Sequence, residues 1–169
     1  MKIAITGSHR VGKTTLAEKL HESLADYEIR MEPYYELEEL GYEFSETPNA
    51  DDFLEQLEYS IKQITTSDLN VIFDRCPIDL LAYIQAIDET QNIQTLYNKI
   101  KSIITGIDLL VFVPIETPDL MICQASDSPK LRNRVNELLK ELIWDFGIET
   151  IEVKGTLLNR RDQVLRKIS

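Results

Sequence analysis

The sequence predicts an α/β fold built on a parallel sheet, and three observations lead there. Five short β-branched runs recur along the chain, each separated from the next by at least one amphipathic segment. A glycine-rich turn ending in Gly-Lys-Thr stands between the first run and the first helical pattern. No repeat, low-complexity tract or linker-like stretch interrupts the 169 residues, so 1–169 reads as one domain. A chain of that length buries roughly two thirds of its unfolded surface without disulfides or metals.

The runs are Ile3 to Thr6, Glu28 to Met31, Val71 to Phe73, Leu109 to Val113 and Glu149 to Val153. Between them, Thr14 to Ala25 places Leu16, Ala17, Leu20 and Leu24 on one helical face. The next helix, Asn49 to Ser67, follows the loop Ser45 to Asn49 and carries Phe53, Leu57, Ile61 and Ile64. Asn49 serves as its N-cap, with Asp51 and Asp52 facing the positive end of the helix dipole. Pro77 is N1 of a third helix, and a fourth runs from Thr90 to Gly106 with Ile93, Leu96, Tyr97, Ile100, Ile103 and Ile104 at helical spacing. The fifth takes Ser128 as N-cap and Pro129 as N1, keeps Leu131, Val135, Leu138, Leu139, Leu142 and Phe146 on one stripe, and stops at Gly147. A last short helix is capped by Asn159, and Glu36 to Glu39 reads as an exposed helical turn. The apolar stripes read as core.

Gly7-Ser8-His9-Arg10-Val11-Gly12-Lys13-Thr14 matches the phosphate-loop pattern G-x-x-x-x-G-K-[ST] in the strand-to-helix context that the pattern requires. Its glycines let the backbone turn N–H groups toward phosphate oxygens, and the helix start adds partial positive charge. Lys13 reaches the outer phosphates, while Thr14 offers its hydroxyl to Mg²⁺. The expected nucleotide contacts are Gly7, Ser8, His9, Arg10, Val11, Gly12, Lys13, Thr14 and Thr15, with the His9 and Arg10 side chains facing solvent.

Composition narrows the partners. Lys plus Arg is 18 against 29 Asp plus Glu, a net charge of −11 that repels nucleic acid and anionic membrane surfaces. Apolar stretches such as Leu109 to Val113 are strand-sized, and the N-terminus enters a strand with no signal-peptide pattern, so a cytoplasmic protein is expected. Cys76 and Cys123 lack C-x-x-C spacing, and His9 and His21 are too few for a zinc cluster; both cysteines read as small buried hydrophobes. The sequence is compatible with a monomer or a homodimer.

Asp74 ends the apolar run Val71-Ile72-Phe73, where the metal-directing acid of phosphate-loop proteins lies, and Thr14 and Asp74 are the expected metal ligands. Arg75 follows it and can hold a phosphate with paired N–H groups, or else pair with other charges and fix the turn into Pro77. Glu32 ends the second run. It either accepts a substrate hydroxyl proton or remains a solvated strand-end charge. Lys130-Leu131-Arg132-Asn133-Arg134 is a basic cluster in an acidic chain, after the irregular stretch Gln124 to Ser128, so residues 124–134 read as a lid. From such a lid Arg132 or Arg134 would close on the transferring phosphate; the alternative is a solvated helix face.

Gly7 to Thr14, Glu32-Pro33, Asp74-Arg75 and the basic residues ahead of a late helix, in that order, resemble the phosphate-loop nucleoside and nucleotide kinases. Glu32-Pro33 resembles the Glu-Pro of deoxynucleoside kinases, where the Glu is base or substrate-hydroxyl ligand. Asp74-Arg75-Cys76 resembles their acid-Arg-Ser motif or the Asp-Arg-Tyr of thymidylate kinases, and Cys76 departs from both. Pro77 to Tyr83 is similar to the segment that follows in thymidylate kinases. Ser128 through Arg132 to Leu142, with Val153-Lys154-Gly155-Thr156 and Arg160, resembles small ATP-binding proteins related to nicotinamide riboside kinase. The resemblance implies a three-layer fold with a five-stranded parallel sheet in order 2-3-1-4-5. It also implies an acceptor pocket between Glu32 and the helix after Asn49, where Gln56, Gln63 or Tyr59 contacts the base, and an adenine pocket near Gly155 to Arg160.

The activity expected is ATP- and Mg²⁺-dependent transfer of a γ-phosphate to a nucleoside-like hydroxyl, with Lys13, Glu32, Asp74, Arg75, Arg132 and Arg134 as the catalytic set. The alternatives are a nucleoside monophosphate kinase, with Arg75 on the acceptor phosphate, and an ATPase or nucleotide sensor with no small-molecule acceptor. Asn98-Lys99-Ile100-Lys101 fails the guanine-reading Asn-Lys-x-Asp pattern, and Arg75 stands where a ring ATPase carries an acid.

Overall fold

The computed structural model describes residues 1–121 and 123–169. Its strands are β1 (Lys2–Thr6), β2 (Glu28–Arg30), β3 (Val71–Asp74), β4 (Leu109–Phe112) and β5 (Thr150–Glu152). All pair in parallel, in the order β2-β3-β1-β4-β5 that the resemblance implies. The helices are α1 (Lys13–Ser23), α2 (Pro33–Glu39), α3 (Ala50–Thr66), α4 (Pro77–Ile87), α5 (Gln94–Ile103), α6 (Pro129–Phe146) and α7 (Leu157–Ile168).

Alternation along the strands builds two cores. Ala4, Val71, Phe73, Leu110 and Phe112 face a large cluster with Leu57 of α3, Leu80, Leu81 and Ile84 of α4, Ile100 of α5 and Leu139 of α6. Their neighbours Ile3, Ile5, Ile72, Leu109 and Val111 face a smaller cluster with Leu16 and Leu20 of α1 and Val164 of α7. Because both faces are covered, the central strands read as unbroken apolar runs. Each fully buried Leu or Ile contributes roughly 1.5–3 kcal/mol of transfer free energy.

This layering positions the site. The chain leaves β1 into α1 on one face and leaves β3 into α4 on the other, so the carboxyl ends of β1 and β3 open a crevice. No helix among the described residues is long and apolar enough to cross a membrane.

Several boundaries differ from the sequence reading. The last helix is longer than expected and is capped by Thr156, whose hydroxyl accepts from Asn159 N, so Asn159 is the N3 partner rather than the cap. Ser128 stands before α6 with φ 50 and no side-chain cap. The fourth helix of the sequence reading starts at Gln94, because Asp88 and Thr90 close a local turn through their side chains. Cys76 is buried as expected, whereas Cys123 is half-exposed.

Candidate active site

The phosphate loop rises from β1 and is held close to the sheet. A Cβ on Gly7 would lie 2.5 Å from the Val113 carbonyl oxygen, a clash with backbone that only glycine avoids. Gly12 takes φ 87 at the start of α1, in the left-handed region. Gly7 N donates to Asp79 Oδ1 (2.8 Å), while Cys76 N donates to Asp79 Oδ2 (2.9 Å), so one buried carboxylate ties the loop to the first turn of α4. Lys13 is buried, with Nζ on Ser8 O at 2.8 Å. Burial, then the neighbouring Arg75, lowers its pKa from the ordinary lysine value to about 8.

Six buried side-chain atoms lack a hydrogen-bond partner among the described residues: Thr6 Oγ1, Ser8 Oγ, both Asp74 carboxylate oxygens, Arg75 Nη1 and Arg160 Nε. Thr6 and Ser8 belong to the end of β1 and its loop, Asp74 and Arg75 to the end of β3, the two strand ends that open the crevice, and Arg160 reaches the loop from α7. An unsatisfied buried polar group costs about 1–3 kcal/mol, so their concentration marks a place built for a polar ligand. Burial pushes Asp74 above the usual carboxylate range, opposed by the adjacent Thr14 hydroxyl and Lys13. The described residues contain no cluster of three or more metal-ligating side chains. One orphaned carboxylate beside one hydroxyl suits Mg²⁺, which keeps waters and takes its remaining ligands from phosphates.

Glu32 and Arg75, 43 residues apart, meet across the crevice. Arg75 Nε and Nη2 both lie 2.7 Å from Glu32 Oε1. Burial raises the Glu32 pKa, but Arg75 and Lys13 outweigh it and hold the carboxyl below its usual range. The second oxygen, Oε2, has no hydrogen bond to the described residues. Arg75 adopts φ 92, a left-handed conformation that costs a non-glycine residue about 1–3 kcal/mol and is anchored by its N–H on Ile5 O at 3.0 Å. Its guanidinium stands 5.3 Å from the Tyr83 ring centroid, and Phe53 stacks on that ring at 4.7 Å.

Glu32, Arg75, Tyr83, Phe53, Gln56, Tyr34 and Phe44 line a cavity of about 270 Å³ closed on one side by His9 and by Ser126 to Ser128. The cavity lies between Glu32 and α3, where the acceptor pocket is expected. Of the three residues expected to contact a base there, only Gln56 lines it. Gln63 is occupied by Met31 O and Glu36, and the Tyr59 hydroxyl donates to Glu36. Glu36 is therefore a half-buried hub joining α2 to α3 rather than part of an exposed turn.

His9 departs from the solvent-facing expectation. Its backbone N–H donates to the Tyr83 hydroxyl (2.8 Å), its Nδ1 lies 2.7 Å from the same oxygen, and Nε2 meets the Asp127 carbonyl. A carbonyl only accepts, so Nε2 carries the proton and Nδ1 accepts from Tyr83; burial lowers the His9 pKa and keeps the ring neutral. Arg10 is exposed as expected and pairs with Asp127 at 3.1 Å.

The structure treats the two arginines of the expected lid differently. Arg132 is buried and donates to the carbonyls of His9 and Arg10, each at 2.9 Å, while pairing with Asp119. Arg134 turns away toward Glu89 and Glu137 and does not reach the loop. Arg160 donates to Val11 O (2.6 Å) and pairs with Glu116 (2.7 Å), which also accepts from Gly155 N. Gly12, Thr15, Gly155, Thr156, Leu157 and Arg160 border a second cavity of about 200 Å³, where the adenine pocket is expected. Sequence reasoning missed Asp79, Tyr83, Glu116, Asp119 and Asp127. Only Asp79 carried a signal, an acid at N3 of a helix opened by proline.

The family model described as an AAA domain matches residues 2–161. The chain belongs to that family. No curated protein matches the chain by sequence. Among solved structures, deoxyadenosine kinase from M. mycoides with products dCMP and dCDP bound superposes with TM-score 0.69 at 17% identity, covering 99% of this chain and 98% of that one. Thymidylate kinase from Ehrlichia chaffeensis superposes with TM-score 0.72 at 14% identity, covering 100% and 98%. A NadR protein in complex with NR gives TM-score 0.74 at 19% identity, over 99% of this chain and 49% of that one. The chain thus shares the α/β phosphate-loop fold of nucleoside and nucleotide kinases.

Proposed function

We propose that this chain is an ATP- and Mg²⁺-dependent kinase that moves a γ-phosphate onto a hydroxyl of a nucleoside-like acceptor. The observation that carries the reading is Glu32, ionised, held through one oxygen by Arg75 and free at the other, in an aromatic cavity adjoining the phosphate loop. The similarity to a deoxyadenosine kinase and to a NadR protein in complex with NR supports it.

Lys13 would exchange Ser8 O for phosphate oxygens, which return it to the fully charged form. Thr14 and Asp74 would hold Mg²⁺, which supplies neutralisation of phosphate charge when bound. Glu32 Oε2 orients the acceptor hydroxyl and takes its proton, while Arg75 keeps Glu32 in place and presents its orphaned Nη1. Tyr83, Phe53, Tyr34 and Phe44 offer faces for a flat ring, and Gln56 a polar contact to its edge. Neither lid arginine has a step here, because Arg134 is remote and Arg132 is committed to loop carbonyls.

The monophosphate alternative fits less well. In the cavity lining Glu32 compensates Arg75, and Arg10 pairs with Asp127, which leaves the Asp52 carboxylate without a cation among the described residues, so an anionic acceptor meets net negative charge. A thermal-shift panel of nucleosides and monophosphates, with Mg²⁺ and a non-hydrolysable ATP analogue, tests this. Stabilisation by a nucleoside is expected. Stabilisation by monophosphates alone would move the assignment to monophosphate kinases, and no response to any acceptor would favour an ATPase or sensor.

A further inference from the structure

Four successive carbonyls of the phosphate loop each meet a cation. Lys13 takes Ser8 O, Arg132 takes His9 O and Arg10 O, and Arg160 takes Val11 O. A trans peptide points its C=O and the following N–H in opposite directions. Drawing the carbonyls of residues 9 to 11 outward therefore turns the N–H groups of residues 10 to 12 toward the crevice, and these donate no hydrogen bond to the described residues. Such a row of inward N–H groups is an oxyanion nest.

The two arginines are themselves locked. Arg132 is 3% exposed and engages both oxygens of Asp119, and its hydrogen bonds hold the Asp119 carboxyl below its usual range. Arg160 is 8% exposed and pairs with Glu116. Both acids lie on the one segment that follows β4, three residues apart. Lysine could not reproduce the Arg132 contact, since one ammonium cannot span two carbonyls and a carboxylate in a planar fork.

Resting on the kinase reading above, we propose that Arg132–Asp119 and Arg160–Glu116 are positioning pairs that set the phosphate-loop backbone for a polyphosphate before any ligand arrives. Arg132 thus acts on the outer side of the loop and does not meet the transferring phosphate.

The two roles predict opposite results for Asp119→Asn. If Asp119 aligns Arg132 on the carbonyls, its loss weakens binding; if it merely parks a phosphate-binding arginine, its loss frees that arginine and binding strengthens or stays level. The test is calorimetric titration of ADP and of inorganic tripolyphosphate into wild type, Asp119→Asn, Arg132→Ala, Arg132→Lys and the double Asp119→Asn, Arg132→Ala variant. Tripolyphosphate reports on the loop alone. Asp119 is 35% exposed and Asn keeps an acceptor for Arg132, and melting temperatures identify any variant that fails to fold. The expected pattern is a severalfold loss for Asp119→Asn and about tenfold or more for Arg132→Ala with both ligands, the range for hydrogen bonds from a charged donor. Arg132→Lys should not rescue, and the double variant should be no weaker than Arg132→Ala. In turnover, the KM for ATP should rise more than kcat falls. Unchanged or tighter binding in Asp119→Asn, with wild type binding normally, overturns the positioning role and leaves the kinase reading intact. Wild type that binds neither ligand overturns the kinase reading and the positioning role with it.

Discussion

The phosphate-loop side and the cavity side of the crevice are built in opposite ways. On the loop side, the proposed ligand-facing groups come from eight consecutive residues and Asp74, while Asp79, Arg132 and Arg160 come from distant elements and touch the loop only at its backbone. On the cavity side nothing is consecutive. Glu32, Phe53, Gln56, Arg75 and Tyr83 come from β2–α2, α3, β3 and α4, and their side chains do the recognising. A backbone nest serves any polyphosphate, whereas a side-chain cavity can be respecified one residue at a time.

The comparison breaks most decisively at Lys13. Lys13→Ala should lower ADP and ATP affinity on the order of a hundredfold and abolish transfer, while acceptor binding persists. Calorimetry with each ligand separates the sides. If nucleotide affinity is unchanged, the loop is not the nucleotide site.

Next is Glu32→Gln, the same experiment on the other side. The chemical rate should fall on the order of a hundredfold or more while nucleotide affinity holds, measured by single-turnover kinetics. Normal turnover would remove Glu32 as base. Because Arg75 and Lys13 hold Glu32 below the usual carboxylate range despite burial, the acid limb of the wild-type profile should lie below that range too.

A pH series sharpens the loop side. The free protein's Lys13 has a pKa of about 8, and phosphates at the site stabilise the charged form, so the complex binds more protons than the free protein above that pH. Affinity should be level below pH 8 and then fall, approaching tenfold per pH unit, with proton uptake visible in buffers of different ionisation enthalpy. Asp74→Asn, a smaller local change, should erase most of the difference between ADP binding in Mg²⁺ and in EDTA. A retained difference would place the metal elsewhere.

The smallest effect divides two glutamines of α3 that lie about two helix turns apart. Gln56→Ala should raise the acceptor KM severalfold with little change in stability. Gln63→Ala should leave KM alone and cost about 1 kcal/mol in unfolding free energy, because its amide bridges Met31 O and Glu36.

Local chemistry alone determined the strands, most helices, the phosphate loop and the acids at the strand ends. Gly7, Gly12 and Lys13 are short-range requirements of one turn, and β-branched runs against amphipathic stretches differ in period over a few residues. Even Asp74 was legible, since the end of a buried strand is a place that an apolar run announces, whereas Glu32 follows the half-exposed β2 and was legible through the Glu-Pro resemblance. Only the tertiary structure decided that His9 turns inward onto Tyr83, that Gln63 is spent on Glu36 while Gln56 faces the cavity, and that Arg132 grips the loop while Arg134 leaves it. The physical reason is that an arginine, histidine or glutamine has several donors and a long reach, so its role is set by whichever buried acceptor the fold brings near. Glu116 and Asp119 came from a segment with no periodicity at all, and their meaning appeared only when packing set them against two arginines from α6 and α7.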